Sequence, residues 1–315
     1  MSELLDDRPT TYTAEPRYEG ANIRTWIGFK HFMQLAEQAV LRYFAERGVG
    51  ARDLYHRYGL GLEIVDSSVQ LPSALEVDDE VVTTVTAGTP KPGRGAPVTV
   101  QMTVDRGAGP VLSLRGKIRV ALVAVKDVAA TAPVPPMLEP YVVPEVSMLA
   151  DADPAPVELS GRDVTELLAP PGSNAYLWSW RIPYFYCHFS DRLQHSGYVR
   201  AMEEVVDRFL HDRGISIRTL LDERSWIPVV SRARVRMLSD AFMEETVHTV
   251  FTVDDVLKDI SYTARMDCYV QRGGRLLHTA TGTIMHGYAI SRGEDAGSVA
   301  VFDDKVRTAL LGAGA

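Results

Sequence analysis

The feature that most constrains this chain is that it contains itself twice. The string RYFAERG, Arg42 to Gly48, returns as RFLHDRG, Arg208 to Gly214, 166 residues later. At the same offset Glu37 falls on Glu203, Leu54 on Leu220, Val69 on Val235, Arg106 on Arg272, Gly107 on Gly273, Gly116 on Gly282 and Ile118 on Ile284. An offset of 165 carries Glu80, Val82 and Thr84 onto Glu245, Val247 and Thr249, so the middle stretch differs by one residue. A series in this order marks a tandem duplication, and any fold for the chain must be one unit built twice.

Each copy reads as α+β. In the second, Ser190 or Asp191 is a suitable helix N-cap; Leu193, Val199, Met202, Val205, Val206, Phe209 and Leu210 recur at helical spacing, and Gly214 is a C-terminal stop. Strand-like runs follow at Ile227–Met237, Thr246–Val253, Ser261–Val270 and Leu276–Ile290, the last two joined by a turn at 271–274. The first copy repeats this order, with a helix near Gly28–Arg47 and strands near Leu60–Leu71, Glu80–Ala87, Pro97–Val104 and Val111–Val123. The expected division is a first repeat at 13–125, a proline-rich linker at 126–175, a second repeat at 176–292 and a tail at 293–315. Short helices are expected near Arg162–Leu168 and Asp304–Leu311.

Composition narrows the partners. The formal net charge of −8 disfavours a phosphate-backbone ligand, so no nucleic acid is expected. No stretch of about 18 apolar residues and no basic, apolar leader occurs, so the expectation is a cytoplasmic protein with no membrane partner. Cys187 and Cys268 have neither disulfide nor zinc spacing, and no metal constellation, nucleophile elbow, phosphate loop or dinucleotide fingerprint is present. A mechanism without cofactor or metal follows.

The string YCHFSDRLQHSGYVRAMEE, Tyr186 to Glu204, resembles the approach to the central helix in hotdog-fold acyl-CoA thioesterases of the 4-hydroxybenzoyl-CoA type. In that family an aromatic stretch, an Asp, a His or Asn, a Tyr-Leu pair and a Glu-rich helix follow one another. Here the pair is Tyr198-Val199 and the Glu is Glu203 or Glu204. The resemblance spans roughly 15–124 and 178–290 and implies a tandem, double hotdog, each repeat a long helix on an antiparallel sheet, acting on an acyl-CoA or acyl carrier protein. The family's Asp sits about seven residues before the His or Asn, where this chain has His188, while Asp191 stands four before His195. Asp191-x-x-x-His195 also resembles a signature of double-hotdog dehydratases, whose first-half His-x-x-x-Gly-x-x-x-x-Pro string is missing.

The duplication supplies an internal control. Moving His188, Asp191, Gln194 and His195 back by 166 gives Asn22, Thr25, Gly28 and Phe29, none able to transfer a proton near neutral pH. One active site is therefore expected, in the second repeat near the repeat interface. Asp191, His195 and His188 are its candidate catalytic residues, with Asp191 and His195 on one helix face if the helix begins at Asp191 or Arg192. The helix start would polarise a thioester carbonyl. Arg192, Gln194, Tyr186 and Tyr198 are candidate substrate contacts, and Arg232 and Arg234, on one strand face, candidate phosphate contacts. Glu203 reads as structural or solvated, because Glu37 holds the same place in the copy without titratable loop residues. Hydrolysis of an acyl thioester leads; dehydration, isomerisation or cyclisation of a bound acyl chain, and non-catalytic acyl binding, are the alternatives. The copies should pair as an intramolecular pseudo-dimer, with further homo-oligomers open.

Overall fold

A computed structural model describes residues 4–152 and 156–312, so Asp153 to Ala155 of the linker and the last three residues of the tail lie outside the described residues. The first repeat runs β1 (Thr10–Ala14), α1 (Phe29–Glu46), α2 (Ala51–Tyr58), β2 (Leu60–Gln70), β3 (Val81–Ala87), β4 (Ala96–Asp105) and β5 (Pro110–Ala124). Between the repeats come β6 (Val142–Val143), β7 (Val157–Glu158) and α3 (Val164–Leu168). The second repeat runs β8 (Tyr176–Arg181), α4 (His195–Asp212), α5 (Ile217–Arg224), β9 (Trp226–Met237), β10 (Thr246–Leu257), β11 (Ser261–Arg272) and β12 (Arg275–Ile290), followed by α6 (Asp304–Leu311).

Why these elements form is visible in their residues. Val199, Met202, Val205, Val206, Phe209 and Leu210 are all buried along one side of α4, and the chain leaves the helix through Gly214 at φ +70°, a conformation that costs glycine little. The β11–β12 hairpin closes with Gly273 and Gly274, both at positive φ, as a two-residue turn matching strand twist requires. The short helices α2 and α5 and the outer strands β1 and β8 were not anticipated from the sequence. α2 and α5 are eight residues each with a single fully buried Leu apiece, Leu54 and Leu220, too little pattern to reveal a helix.

The strands form one continuous sheet in the order β1-β3-β4-β5-β2-β9-β12-β11-β10-β8. Its centre is the antiparallel β2–β9 pair, where Asp66 lies opposite Arg236, Ser68 opposite Arg234 and Gln70 opposite Arg232. Adding or subtracting the 166-residue offset maps the first pairing onto the third, so a pseudo-twofold axis passes between Ser68 and Arg234. The long helices α1 and α4 lie against each other over this sheet. This is a double hotdog, each repeat a long helix on an antiparallel sheet.

Two equivalent glycines explain part of the repeat signature. Gly116 faces Val69 across β5–β2, and Gly282 faces Val235 across β12–β9. A Cβ at Gly116 would stand 2.6 Å from Val69 Cγ1 and 2.8 Å from the Ser68 carbonyl oxygen, which is backbone and cannot turn aside. Gly116→Ala is expected to cost about 1–3 kcal/mol through overpacking, read as a lowered midpoint in urea unfolding.

Candidate active site

The approach to α4 does not join the helix. Residues 191–193 instead lie against 241–243: Met243 N donates to the Asp191 carbonyl at 2.7 Å, Leu193 N donates to the Ala241 carbonyl at 2.8 Å, and Arg192 bridges Phe242. Phe189 adopts φ +58° to make the preceding corner. The helix therefore starts at His195, with Gln194 as N-cap. The first copy does the same, with Ile27 N donating to the Leu75 carbonyl, Val77 N to the Thr25 carbonyl, and α1 starting at Phe29 with Gly28 as N-cap.

This geometry corrects the expected pairing of Asp191 with His195. Asp191 precedes the helix and is exposed, so the two do not share a helix face. His195 is sealed: Nε2 lies 3.0 Å from Ser67 Oγ and 3.4 Å from the Val235 carbonyl, and burial pushes its pKa down to about 4. The space beside it, about 10 Å³, holds no more than a water. Cys187, its pKa pushed up to about 11 by burial and then by Asp191, is no activated thiolate. Tyr198 is fully buried in the core and Tyr186 packs edge-on against Trp180 and Phe185, while Gln194 caps the helix without a side-chain hydrogen bond.

His188 and Arg192 enter an ionic chain that the sequence did not suggest. His188 Nε2 meets Glu63 Oε2 at 2.7 Å; Arg192 Nη1 donates to Glu63 Oε1 at 3.3 Å and Nε to Asp240 Oδ1 at 2.5 Å; Val146 N donates to Asp240 Oδ2 at 3.3 Å. Glu63 is wholly buried and His188 one-third exposed. Burial lowers the His188 pKa, but Glu63 and then Glu37 raise it and the net shift is upward. Glu63, the lone acid in the apolar run Leu60–Val65, was the available signal.

The pseudo-twofold places a second position opposite the first, and there the chemistry is inverted. Asn22 stands where His188 does, Trp26 for Arg192, Val229 for Glu63, Ala74 for Asp240 and Glu203 for Glu37, each 166 residues apart. The ionic chain is replaced by a cavity of about 640 Å³, within the range of small-molecule sites. Its walls include Phe29, Phe32, Val206, Ile227, Val229 and Ile284, with Asn22, Glu203 and His286 among its polar groups. Walls come from both repeats: the loop and helix start of the first, the sheet and helix of the second.

Glu203 Oε1 accepts the backbone N–H of Lys30, in the first turn of α1, at 2.8 Å. Its side chain keeps 31% of its surface exposed and lines the cavity. Burial raises its pKa, opposed by the Lys30 amide and by the Lys30 and Arg200 cations. Phe29, first residue of the helix, lines the same cavity, and its N–H has no intrahelical acceptor. Among the described residues no three His, Cys, Asp or Glu side chains cluster as metal ligands. Arg232 is exposed on the outer sheet face, while Arg234 there is held by Asp66 at 2.8–3.0 Å.

The fold has counterparts among known proteins. Residues 179–310 match the thioesterase-like superfamily. Among solved structures, the chain is similar to a Lactobacillus plantarum protein assigned as an oleoyl thioesterase, with a TM-score of 0.59 at 11% identity, over 91% of this chain and 98% of that one. It is similar to the 12:0-ACP thioesterase from Umbellularia californica, with a TM-score of 0.59 at 10% identity, over 89% and 94%. An acyl-ACP thioesterase from Bacteroides thetaiotaomicron matches with a TM-score of 0.52 at 8% identity, over 88% and 97%. No curated protein matches the chain significantly by sequence. At these identities the structures share the double-hotdog fold. Among the described residues no helix is long and apolar enough to cross a membrane.

Proposed function

We propose that this chain hydrolyses an acyl thioester in the apolar cavity at the repeat interface, with Glu203 as the catalytic base. The observation that carries the reading is a carboxyl of raised pKa that lines an apolar chamber and is anchored on the Lys30 amide in the first turn of α1. The acyl group lies against the apolar wall and its carbonyl oxygen meets the Phe29 N–H and the positive end of α1. Glu203 takes a proton from water as the water oxygen bonds to the carbonyl carbon; the oxyanion then collapses, the C–S bond breaks, and the proton passes from Glu203 to the departing thiolate. The second-repeat match to the thioesterase-like superfamily supports this chemistry.

The carrier is CoA or an acyl carrier protein, which share the phosphopantetheine arm, and the carrier proteins named for two structural relatives support the second. Ser231 lines the cavity and the exposed Arg232 follows it directly, so Arg232 is the proposed phosphate contact and Arg234 a secondary one. Dehydration by Asp191 and His195 is disfavoured, since that pair is not assembled.

A panel of acyl-CoAs and acyl-pantetheines with a thiol-trapping dye tests the reaction. Thiol release should rise with pH along a limb set above the ordinary carboxylate value of 4.5, because deprotonated Glu203 is the active form and its pKa is raised. No thiol release from any thioester, across chain length and aromaticity, would overturn the reading.

A further inference from the structure

On the β12 side of the cavity His286 stands between the apolar Ile284 and Ala289, and neither the fold nor the hydrolytic step uses it. It lies on β12, whose alternation turns Ile284 and His286 together toward the cavity that both line. The ring is 4% exposed, stands 5.2 Å from the Tyr262 ring and 5.6 Å from the Tyr288 ring between centroids, and its Nδ1 is buried without a hydrogen-bond partner. Leaving such an atom unpaired costs about 1–3 kcal/mol, so buried polar atoms in folded proteins are nearly always satisfied.

The repeat shows that the fold does not require a histidine here. The equivalent position 166 residues earlier is Val120, fully buried and paired to Ile64 as His286 is paired to Val230. Valine meets the packing demand in the copy whose interface position is filled by the ionic chain. Histidine stands in the copy that borders the open chamber.

We infer that His286 is a specificity-determining residue that hydrogen-bonds a neutral hydroxyl carried on the acyl group, so that the preferred substrates are hydroxylated acyl thioesters. This rests on the cavity being the acyl site. Burial pushes the imidazole pKa down to about 4, so the ring is neutral at physiological pH, with one donor and one acceptor nitrogen. A hydroxyl matches either role. A site built to bond a substrate hydroxyl rejects the analogue lacking it far more strongly than an apolar pocket rejects an added hydroxyl.

The test uses the full chain and matched acyl-pantetheine thioesters, alkyl and phenylalkyl, with and without a hydroxyl at successive positions. Their non-hydrolysable thioether analogues are measured for binding. At one hydroxyl position the wild type should favour the hydroxylated member by at least about tenfold in kcat/KM, with a matching preference in Kd for the thioether. His286→Val, which installs the residue of the other repeat, should erase the preference, bringing kcat/KM and Kd for the hydroxylated member to those of its plain partner; His286→Gln should restore part of it. A wild type showing no hydroxyl preference in either measurement overturns the inference. So does a His286→Val enzyme whose turnover falls equally on every substrate with thioether binding unchanged, which would make His286 a proton-transfer group. Hydroxyl-selective thioether binding without any hydrolysis would sustain the inference and sink the hydrolase reading alone.

Discussion

Glu203→Gln is expected to lower kcat on every accepted thioester by about a hundredfold or more, the usual worth of a general base, while the protein stays folded. Glutamine keeps an oxygen to accept the Lys30 N–H, so the contact tying α4 to the start of α1 survives and only the proton acceptor is lost. Thermal unfolding separates the two effects. A carboxyl whose folded pKa is raised binds more protons in the folded than in the unfolded state, so its contribution to stability falls as pH rises from the ordinary value through the raised one. Removing it should leave the Tm at pH 8 unchanged or higher and flatten that fall. Near-wild-type turnover in Glu203→Gln would eliminate the carboxyl from the chemistry, whereas a lowered Tm would assign it a structural role.

Arg192→Met should give the largest loss of stability among single changes at the filled position, about 3–5 kcal/mol, because it leaves buried charges uncompensated. Among the described residues, Glu63 would then keep only His188, and the Asp240 carboxylate only the Val146 amide. Burial raises the Asp240 pKa even with the guanidinium beside it, so without Arg192 the cost of ionisation grows. The contrast is the fourfold variant His188→Asn, Glu63→Val, Arg192→Trp and Asp240→Ala, which writes the residues of the open position into the filled one. Exchanging a buried ionic network for apolar groups is often neutral or stabilising, so this variant should retain more stability than Arg192→Met alone. Urea midpoints compare them directly; equal losses in both would show that packing, and not charge, governs the position.

Much of the architecture was legible before any coordinates. The duplication, the α+β unit, both long helices, the four principal strands of each copy, the hairpin at 271–274 and the terminal helix Asp304–Leu311 followed from periodicity, turn residues and self-comparison. Reading the site was harder. Ser190 and Asp191 are both good caps and imply a helix starting at Asp191 or Arg192, but tertiary hydrogen bonds to 241–243 outcompete that local preference and delay the helix to His195. Titratable carboxyl and imidazole groups occur in the loop of the second copy and not in that of the first. The loop without them borders the chamber, since ionised side chains at the other position fill their own space.

The amino-acid order by itself determined that one unit occurs twice, because helical and strand periodicities and the glycines at 116 and 282 are local and survive in both copies. Only the tertiary structure decided which of two equivalent positions is open. That depends on Glu63, Arg192 and Asp240 closing one position while Val229, Trp26 and Ala74 leave the other apolar. These residues are far apart in the chain, and neither charge pairing nor empty volume exists until the two sheets join across β2 and β9.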